Sequence, residues 1–269
     1  MKATPRRAAI VALLLTALLA GALNGCGSSA ESSSATAGSG SGSGEVVVSA
    51  AASLKRALTR YGEQFGRGTV RFSFAGSDAL AAQIRQGVKP DVFAAADVEL
   101  PDRLFAEGLV ERPVRFATNE LVLAVPAAGG AISSVEDLVR DGTTLAVGAA
   151  GVPVGAYART VLDRLPATQR QAILANVRSS EPDVAGIVGK LTQGAVDAGF
   201  VYSSDVEGAG GRLKAIELPD RLEPTVEYGV AVVKGARNRE GARRFVDGLL
   251  EGTGAAALRD TGFGPPAGP

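Results

Sequence analysis

The sequence predicts an α/β protein made of two successive sets of strand–turn–helix units. Each set reads as a doubly wound, mostly parallel sheet with helices on both faces. Three observations carry that expectation. Short apolar runs repeatedly lead into stretches whose apolar residues recur at helical spacing, as alternating strands and helices require. The rhythm stops near residues 119–126 and then starts again, so one set follows another. Finally, 269 residues that are 46% hydrophobic but only 5% aromatic, with 35 glycines, suffice for two lobes of small, closely packed side chains.

Residues 1–26 form a targeting segment. Lys2, Arg6 and Arg7 supply its charged start, and residues 8–20 an apolar core too short to span a bilayer comfortably. The segment ends in Leu23-Asn24-Gly25-Cys26 and resembles the bacterial lipobox, which implies cleavage before Cys26 and a lipid on its thiol. The plainer reading is a signal peptide with an incidental cysteine. The pair Arg6-Arg7 leaves both general secretory and twin-arginine export open. Residues 27–44, nearly all Gly, Ser and Ala, read as a flexible tether.

The globular part begins at Glu45. Val46–Val48 is a strand, and Ser53 to about Phe65 a helix with Leu54, Leu58, Tyr61 and Phe65 on one face. Val70, Phe72 and Phe74 alternate as a second strand before a helix carrying Leu80, Ile84 and Val88. A buried strand over 91–97 and a short helix around 101–107 complete the first set. Residues 119–126 read as one strand near a crossing between lobes. The second set comprises strands over 145–147, 177–180 and 197–205, with helices after Val154-Gly155 and after Asp183, a strong helix-capping residue. The strand Tyr228–Val233 returns to the first lobe, and a helix with Ala242, Phe245 and Leu249 closes the chain. The lobes are thus expected to be 45–118 plus 226–269, and 119–225.

Composition removes whole function classes. There is no His and no Trp, and Cys26 is the single cysteine. That excludes a Ser-His-Asp triad, His-ligated metal, thiolate zinc and internal disulfides. Formal net charge is zero. The first 26 residues carry three cations and no acid, which leaves 25 cations against 28 acids, or −3, for the remainder. A slightly acidic body argues against nucleic acid as a partner.

The stretch Ser49-Ala-Ala-Ala-Ser53-Leu54 runs from a strand through a tight turn into a helix. Such a turn leaves backbone N–H groups unpaired at the positive end of the helix dipole, a ready anion site. The device recurs at Ser77, at Val154-Gly155 and at Asp183-Val184, two in each half. Across a cleft these ends, two serine hydroxyls and the phenol of Tyr202 could hold a multiply charged oxyanion with neutral donors alone. Each residue also has an ordinary reading: Ser53 and Ser77 as helix caps, Tyr202 as a strand-end tyrosine bonded to backbone, Asp97, Asp183 and Asp205 as caps, Asn119 and Tyr157 as structural.

An ordered series of motifs resembles the molybdate-binding proteins of bacterial ABC transporters: Ala-Ala-Ser53-Leu, Phe74-Ala-Gly-Ser77-Asp, Asp91-Val-Phe-Ala-Ala-Ala-Asp97, Ala117-Thr-Asn119-Glu, Val152-Pro-Val154-Gly-Ala-Tyr157, Asp183-Val184, Asp197-Ala-Gly-Phe-Val-Tyr202-Ser-Ser-Asp205 and Val226-Glu-Tyr-Gly-Val. The series spans roughly 45–263. The resemblance implies a two-lobed periplasmic-binding-protein fold of type II. It also implies a ligand set of the Ser53 and Ser77 hydroxyls, the Val154 and Val184 N–H groups and the Tyr202 hydroxyl. It further implies molybdate or tungstate as ligand with no cofactor and no metal bound directly by the protein. The partner is a membrane permease, the location is the outer face of the cytoplasmic membrane, and the state is monomeric. Asp78 departs from the family's usual small or hydroxyl residue; it is expected to turn outward and cap its helix. Rival readings are a protein for sulfate, thiosulfate or phosphate, a two-lobed ligand sensor, or a serine hydrolase, the last opposed by the absence of His, of Gly-x-Ser-x-Gly and of a Ser–Lys pair.

Overall fold

The computed structural model describes residues 44–66 and 68–267. The targeting segment with Cys26 and the tether up to residue 43 lie outside the described residues. In chain order the first elements are β1 (Val46–Ala51), α1 (Lys55–Glu63), β2 (Val70–Ala75), α2 (Ser77–Arg85), β3 (Val92–Ala95), α3 (Glu99–Ala106) and β4 (Val114–Asn119). There follow β5 (Leu121–Pro126), β6 (Leu145–Gly148), α4 (Pro153–Asp163), α5 (Ala167–Ala175), β7 (Val177–Glu181), α6 (Val184–Thr192), β8 (Ala198–Tyr202), α7 (Ser203–Gly208) and β9 (Leu213–Ile216). The chain closes with β10 (Val226–Val232), α8 (Arg239–Leu250) and α9 (Thr253–Arg259).

The strands form two five-stranded sheets, ordered β2-β1-β3-β10-β4 and β7-β6-β8-β5-β9. In the first, β1 pairs in parallel with β2 and β3, and only β10 runs against its neighbours. In the second, β6 pairs in parallel with β7 and β8, and only β5 is reversed. Both sheets are therefore mostly parallel, as the sequence predicts. Each reversed strand is the first one laid down after the chain crosses from the other sheet. Register fixes where that crossing lies. Val226 at the start of β10 opposes Asn119 at the end of β4, and Leu121 at the start of β5 opposes Tyr202 at the end of β8. The carboxyl ends of both parallel sets thus converge on residues 119–121, the position where open α/β sheets bind ligands.

The single strand expected over 119–126 is broken at Glu120. The Asn119 side-chain carbonyl accepts the Glu120 N–H at 2.9 Å, taking that group out of any ladder, so β4 and β5 enter different sheets. The helix expected from Ser53 opens as a 3₁₀ turn over Ala52–Leu54 and becomes α-helical at Lys55. Strands β4 and β9 and helices α5, α7 and α9 have no counterpart in the sequence reading: the strand expected over 197–205 stops at Tyr202, where α7 begins, and α9 follows the helix expected to be the last.

Packing holds α8 against α1 and β2 of the first sheet. Phe245 of α8 is fully buried, with ring centroids 4.7 Å from Tyr61, 5.7 Å from Phe65 and 6.2 Å from Phe72. The Tyr61 hydroxyl donates to the Phe245 carbonyl at 3.2 Å. In the second sheet a Cβ on Gly199 would lie 2.6 Å from Ile187 Cγ2 and 2.9 Å from the Ala146 carbonyl oxygen, so glycine lets α6 close onto β8. No helix among the described residues is long and apolar enough to cross a membrane.

Truncating the hub of this aromatic cluster removes buried area and leaves a void. Phe245→Ala is expected to cost about 3–5 kcal/mol, read as a lower urea midpoint. Leu250→Ala on the same helix, 36% exposed, should cost well under half of that.

Candidate functional site

At the converging carboxyl ends lies a small pocket of about 10 Å³. It is lined from the first sheet by the turns after β1, β2 and β3 (Ser53, Ser77, Ala96), and from the second by those after β6 and β7 and the end of β8 (Val154, Asp183, Val184, Tyr202). All five residues expected to bind a ligand therefore meet around one small pocket, although 149 positions separate Ser53 from Tyr202.

Neither serine is a helix cap. Ser53 lies within the 3₁₀ turn, and Ser77 is the first residue of α2 behind Gly76; neither helix start has a side-chain cap hydrogen bond. Their hydroxyls are engaged otherwise. Ser77 is 1% exposed, and its Oγ accepts the Ala96 N–H at 3.1 Å. A backbone N–H can only donate, so the Ser77 hydrogen remains free to donate elsewhere. Ser53 Oγ lies 3.1 Å from the Tyr228 hydroxyl.

The backbone donors follow from helix geometry. Pro153 occupies the first position of α4, where its missing N–H costs nothing, so Val154 supplies the first amide of that helix. Asp183 caps α6 as expected: its carboxylate accepts the Gly186 N–H at 3.0 Å. Val184, at the first helical position, carries one of the amides that an α-helix cannot satisfy internally.

Tyr202 ends β8 with its ring 1% exposed, edge-on to Tyr157 at 6.4 Å and to Tyr228 at 5.8 Å. Its hydroxyl is buried and has no hydrogen-bond partner among the described residues. Leaving a buried hydroxyl unpaired costs about 1–3 kcal/mol, which marks the site as built for something further. Burial holds the Tyr202 phenol well above its ordinary pKa, so it stays neutral and able to donate.

No Lys or Arg is among the residues lining the cavity. The nearby charges are carboxylates. Burial pushes Asp97 up to about 6 although its carboxylate accepts the Leu100 N–H at 2.9 Å. Burial likewise pushes Asp205 up to about 7 while it accepts the Tyr202 N–H at 3.1 Å. Each accepts one backbone N–H at a helix start without occupying the cap position, which is Val98 in α3 and Tyr202 in α7. Asp78 does not behave as the sequence predicts. It makes no cap bond; one carboxylate oxygen is buried without a partner, and a Cβ on Gly151 would lie 3.3 Å from the other. It is not among the residues lining the cavity, but it is not turned out to solvent either. Asn119 and Tyr157 also stay off the lining, and Asn119 instead binds Ser203, Ser204 and Glu120 at the crossover. Sequence reasoning missed Tyr228 as part of the site. Its only signal was membership of the returning strand motif, and only the fold brings it to Ser53.

Two mostly parallel sheets with opposed carboxyl ends and a donor-lined cavity between them define a two-lobed solute-binding protein. Residues 46–264 match the bacterial extracellular solute-binding proteins, and the chain belongs to that family, which binds solutes and does not transform them. It is 38% identical over 260 residues to the molybdate-binding protein ModA of Mycobacterium tuberculosis, covering 94% of this chain and 97% of that one. To ModA of Escherichia coli K12 it is 30% identical over 231 residues, covering 81% and 88%. The periplasmic molybdate-binding protein of Azotobacter vinelandii shares the fold with a TM-score of 0.74 at 20% identity, covering 82% of this chain and all of that one.

The raised acids fix the sign of one pH effect. A carboxyl whose pKa is higher folded than unfolded stabilises the fold when protonated, and that contribution is lost as pH rises through the folded value. For Asp97 the loss runs from about pH 4 to 6 and for Asp205 from about pH 4 to 7, between the ordinary carboxyl value and the folded one. The lowered carboxyls Glu107, Glu111 and Asp137 act only below about pH 4.5. The unfolding temperature without ligand should therefore fall by roughly 3–6 °C from about pH 4.5 to pH 7. Asp205→Asn, which keeps an acceptor for the Tyr202 N–H, should remove part of that fall in a calorimetric pH series.

Proposed function

We propose that this chain captures molybdate, and tungstate with it, as the intact oxyanion in the cavity between its sheets, and hands it to the permease of an ABC importer. The observation that carries the reading is the convergence of neutral donors on one small pocket. Ser53 and Ser77 offer hydroxyls, Val154 and Val184 offer backbone amides, and the buried Tyr202 hydroxyl still needs an acceptor. The likeness to proteins named for molybdate binding, one of them 38% identical over nearly the whole chain, selects the ion. Each hydrogen bond to a charged group is worth about 1.5–3 kcal/mol net. Five of them would in gross terms cover the roughly 8–12 kcal/mol of a micromolar-to-nanomolar complex, before closure costs.

In this reading the lobes, 45–118 plus 226–269 and 119–225, close about the crossover at 119–121, and the ion favours the closed state because both lobes donate to it. No cofactor takes part, and no protein atom ligates molybdenum directly. Cys26, lipidated after cleavage of the targeting segment, tethers a monomeric module to the outer face of the cytoplasmic membrane through residues 27–44. Nucleic acid has no place in the scheme, given the −3 charge of the body.

Thermal unfolding with molybdate, tungstate, sulfate and phosphate tests the cargo. At about a thousandfold excess over Kd a ligand adds roughly 4 kcal/mol, a rise on the order of 8–16 °C. Molybdate and tungstate should produce it and sulfate and phosphate should not; a shift with sulfate or phosphate alone would change the cargo. Removing both hydroxyls in a Ser53→Ala, Ser77→Ala variant should weaken molybdate binding by about a hundredfold or more with the fold intact.

Closure has its own test. A Cβ on Gly76, beside Ser77, would strike the Pro182 carbonyl oxygen at the turn before α6. The backbone of Gly76 (φ −59°, ψ 137°) suits any residue, and within the first lobe the new methyl meets the Asp78 carboxylate oxygen at 2.8 Å, the tip of a side chain that has to shift slightly. Gly76→Ala should leave the unliganded unfolding temperature within about 2 °C of the parent. In titration calorimetry the same variant should bind molybdate at least tenfold more weakly, because the closed arrangement sets the Pro182 backbone carbonyl against the extra methyl group.

A further inference from the structure

The Ser53 hydroxyl is held by a buried phenol whose hydrogen-bond direction can be assigned. Ser53 Oγ lies 3.1 Å from the Tyr228 hydroxyl, which among the described residues has its hydrogen bond there. Tyr228 is fully buried, so if Ser53 donated, the phenol hydrogen would be left in the protein interior without an acceptor, at a cost of about 1–3 kcal/mol. Tyr228 therefore donates and Ser53 Oγ accepts, which frees the Ser53 hydrogen to turn into the cavity that it lines. Tyr228 is fully buried and its ring is fixed edge-on by Phe116 and Phe263, so the geometry is held by packing.

We propose that Tyr228 is a positioning residue for ligand capture, which commits the Ser53 hydroxyl to donating into the cavity. The proposal rests on the oxyanion reading of that cavity. It makes Ser53 the counterpart of Ser77, whose oxygen is occupied by the Ala96 N–H. Both serines then face the ligand as donors only. Without Tyr228 the Ser53 hydroxyl would be free to rotate, and its donation would have to be ordered at each binding event.

A double-mutant cycle read by titration calorimetry with molybdate tests this in the full globular chain. Tyr228→Phe removes one oxygen from a ring otherwise retained. It should weaken binding about tenfold in the parent and by less than twofold in the Ser53→Ala background, because its effect passes through that hydroxyl. Equal weakening in both backgrounds, as a general disturbance of the lobe would give, overturns the proposal, and so does parent-like binding by Tyr228→Phe. Replacing Tyr228 by 3-fluorotyrosine, whose more acidic phenol is a stronger donor, keeps every contact and covers the case in which the phenylalanine variant does not fold. It should tighten binding severalfold, an effect absent in Ser53→Ala, and unchanged or weaker binding counts against the assignment. If the parent binds none of molybdate, tungstate, sulfate and phosphate, the oxyanion reading falls and this proposal falls with it. Binding by the parent without coupling between Tyr228 and Ser53 removes this proposal alone.

Discussion

Buried hydrogen-bond donors must find acceptors, and this fold gathers several of them at one point. Parallel strands running into helices leave unpaired amides at every carboxyl end, and two such sheets are set with those ends opposed. In most α/β proteins water or capping side chains satisfy the surplus. Here the turns at Ser53 and Ser77 carry no cap bond, and Pro153 removes a donor that would have pointed nowhere. Asp183 takes the third amide of its helix, Gly186, and not the first. The Tyr202 hydroxyl is sealed in without an acceptor. What remains uncommitted faces a space too small for a nucleotide or sugar. The topology that reverses β5 and β10 is what brings these groups together, because each reversal places a crossing at the cleft side of its sheet.

The electrostatic design follows from the same arrangement. A cationic side chain in the cavity would bind anions more strongly but would also be a buried charge whenever the site was empty. Fixed dipoles carry no such penalty and are already oriented when the ligand arrives. The acids around the site limit how strong that attraction can be. Asp97 and Asp205 reduce the conflict by holding their protons toward neutral pH. Asp78 does not resolve it, since one carboxylate oxygen lies buried and unpaired beside Gly76 and the other faces Gly151 of the opposite sheet.

Much of this was legible in the sequence, and what was not has a common cause. The five lining residues each sit at a strand end or helix start that apolar periodicity locates, so local pattern sufficed to find them. Local pattern started one strand at Asn119 and missed the strand that ends there, because the break depends on the Asn119 side chain capturing the next amide. Nor could it separate Ser53 and Ser77 from ordinary caps, since a cap and a ligand-facing hydroxyl share the same position in the chain. That distinction is made by Ala96 and Tyr228, one nineteen and the other 175 residues away. The outward turn expected of Asp78 failed for the same reason: its carboxylate lies beside Gly76 and beside Gly151, a residue 73 positions away whose nearness only the fold creates.

The crossover at Asn119 is where capture and closure meet. Its amide group binds Ser203 and Ser204 at the start of α7, directly after Tyr202. Ser53 follows β1 and Tyr228 lies on β10, and both strands belong to the first sheet. A rotation of one lobe against the other about Asn119 would leave their contact in place. Tyr228 is thus able to keep its hold on Ser53 in an open arrangement as well as a closed one. Ser53 would then be oriented before the ligand arrives, and its ordering would be a cost met by folding and not by binding.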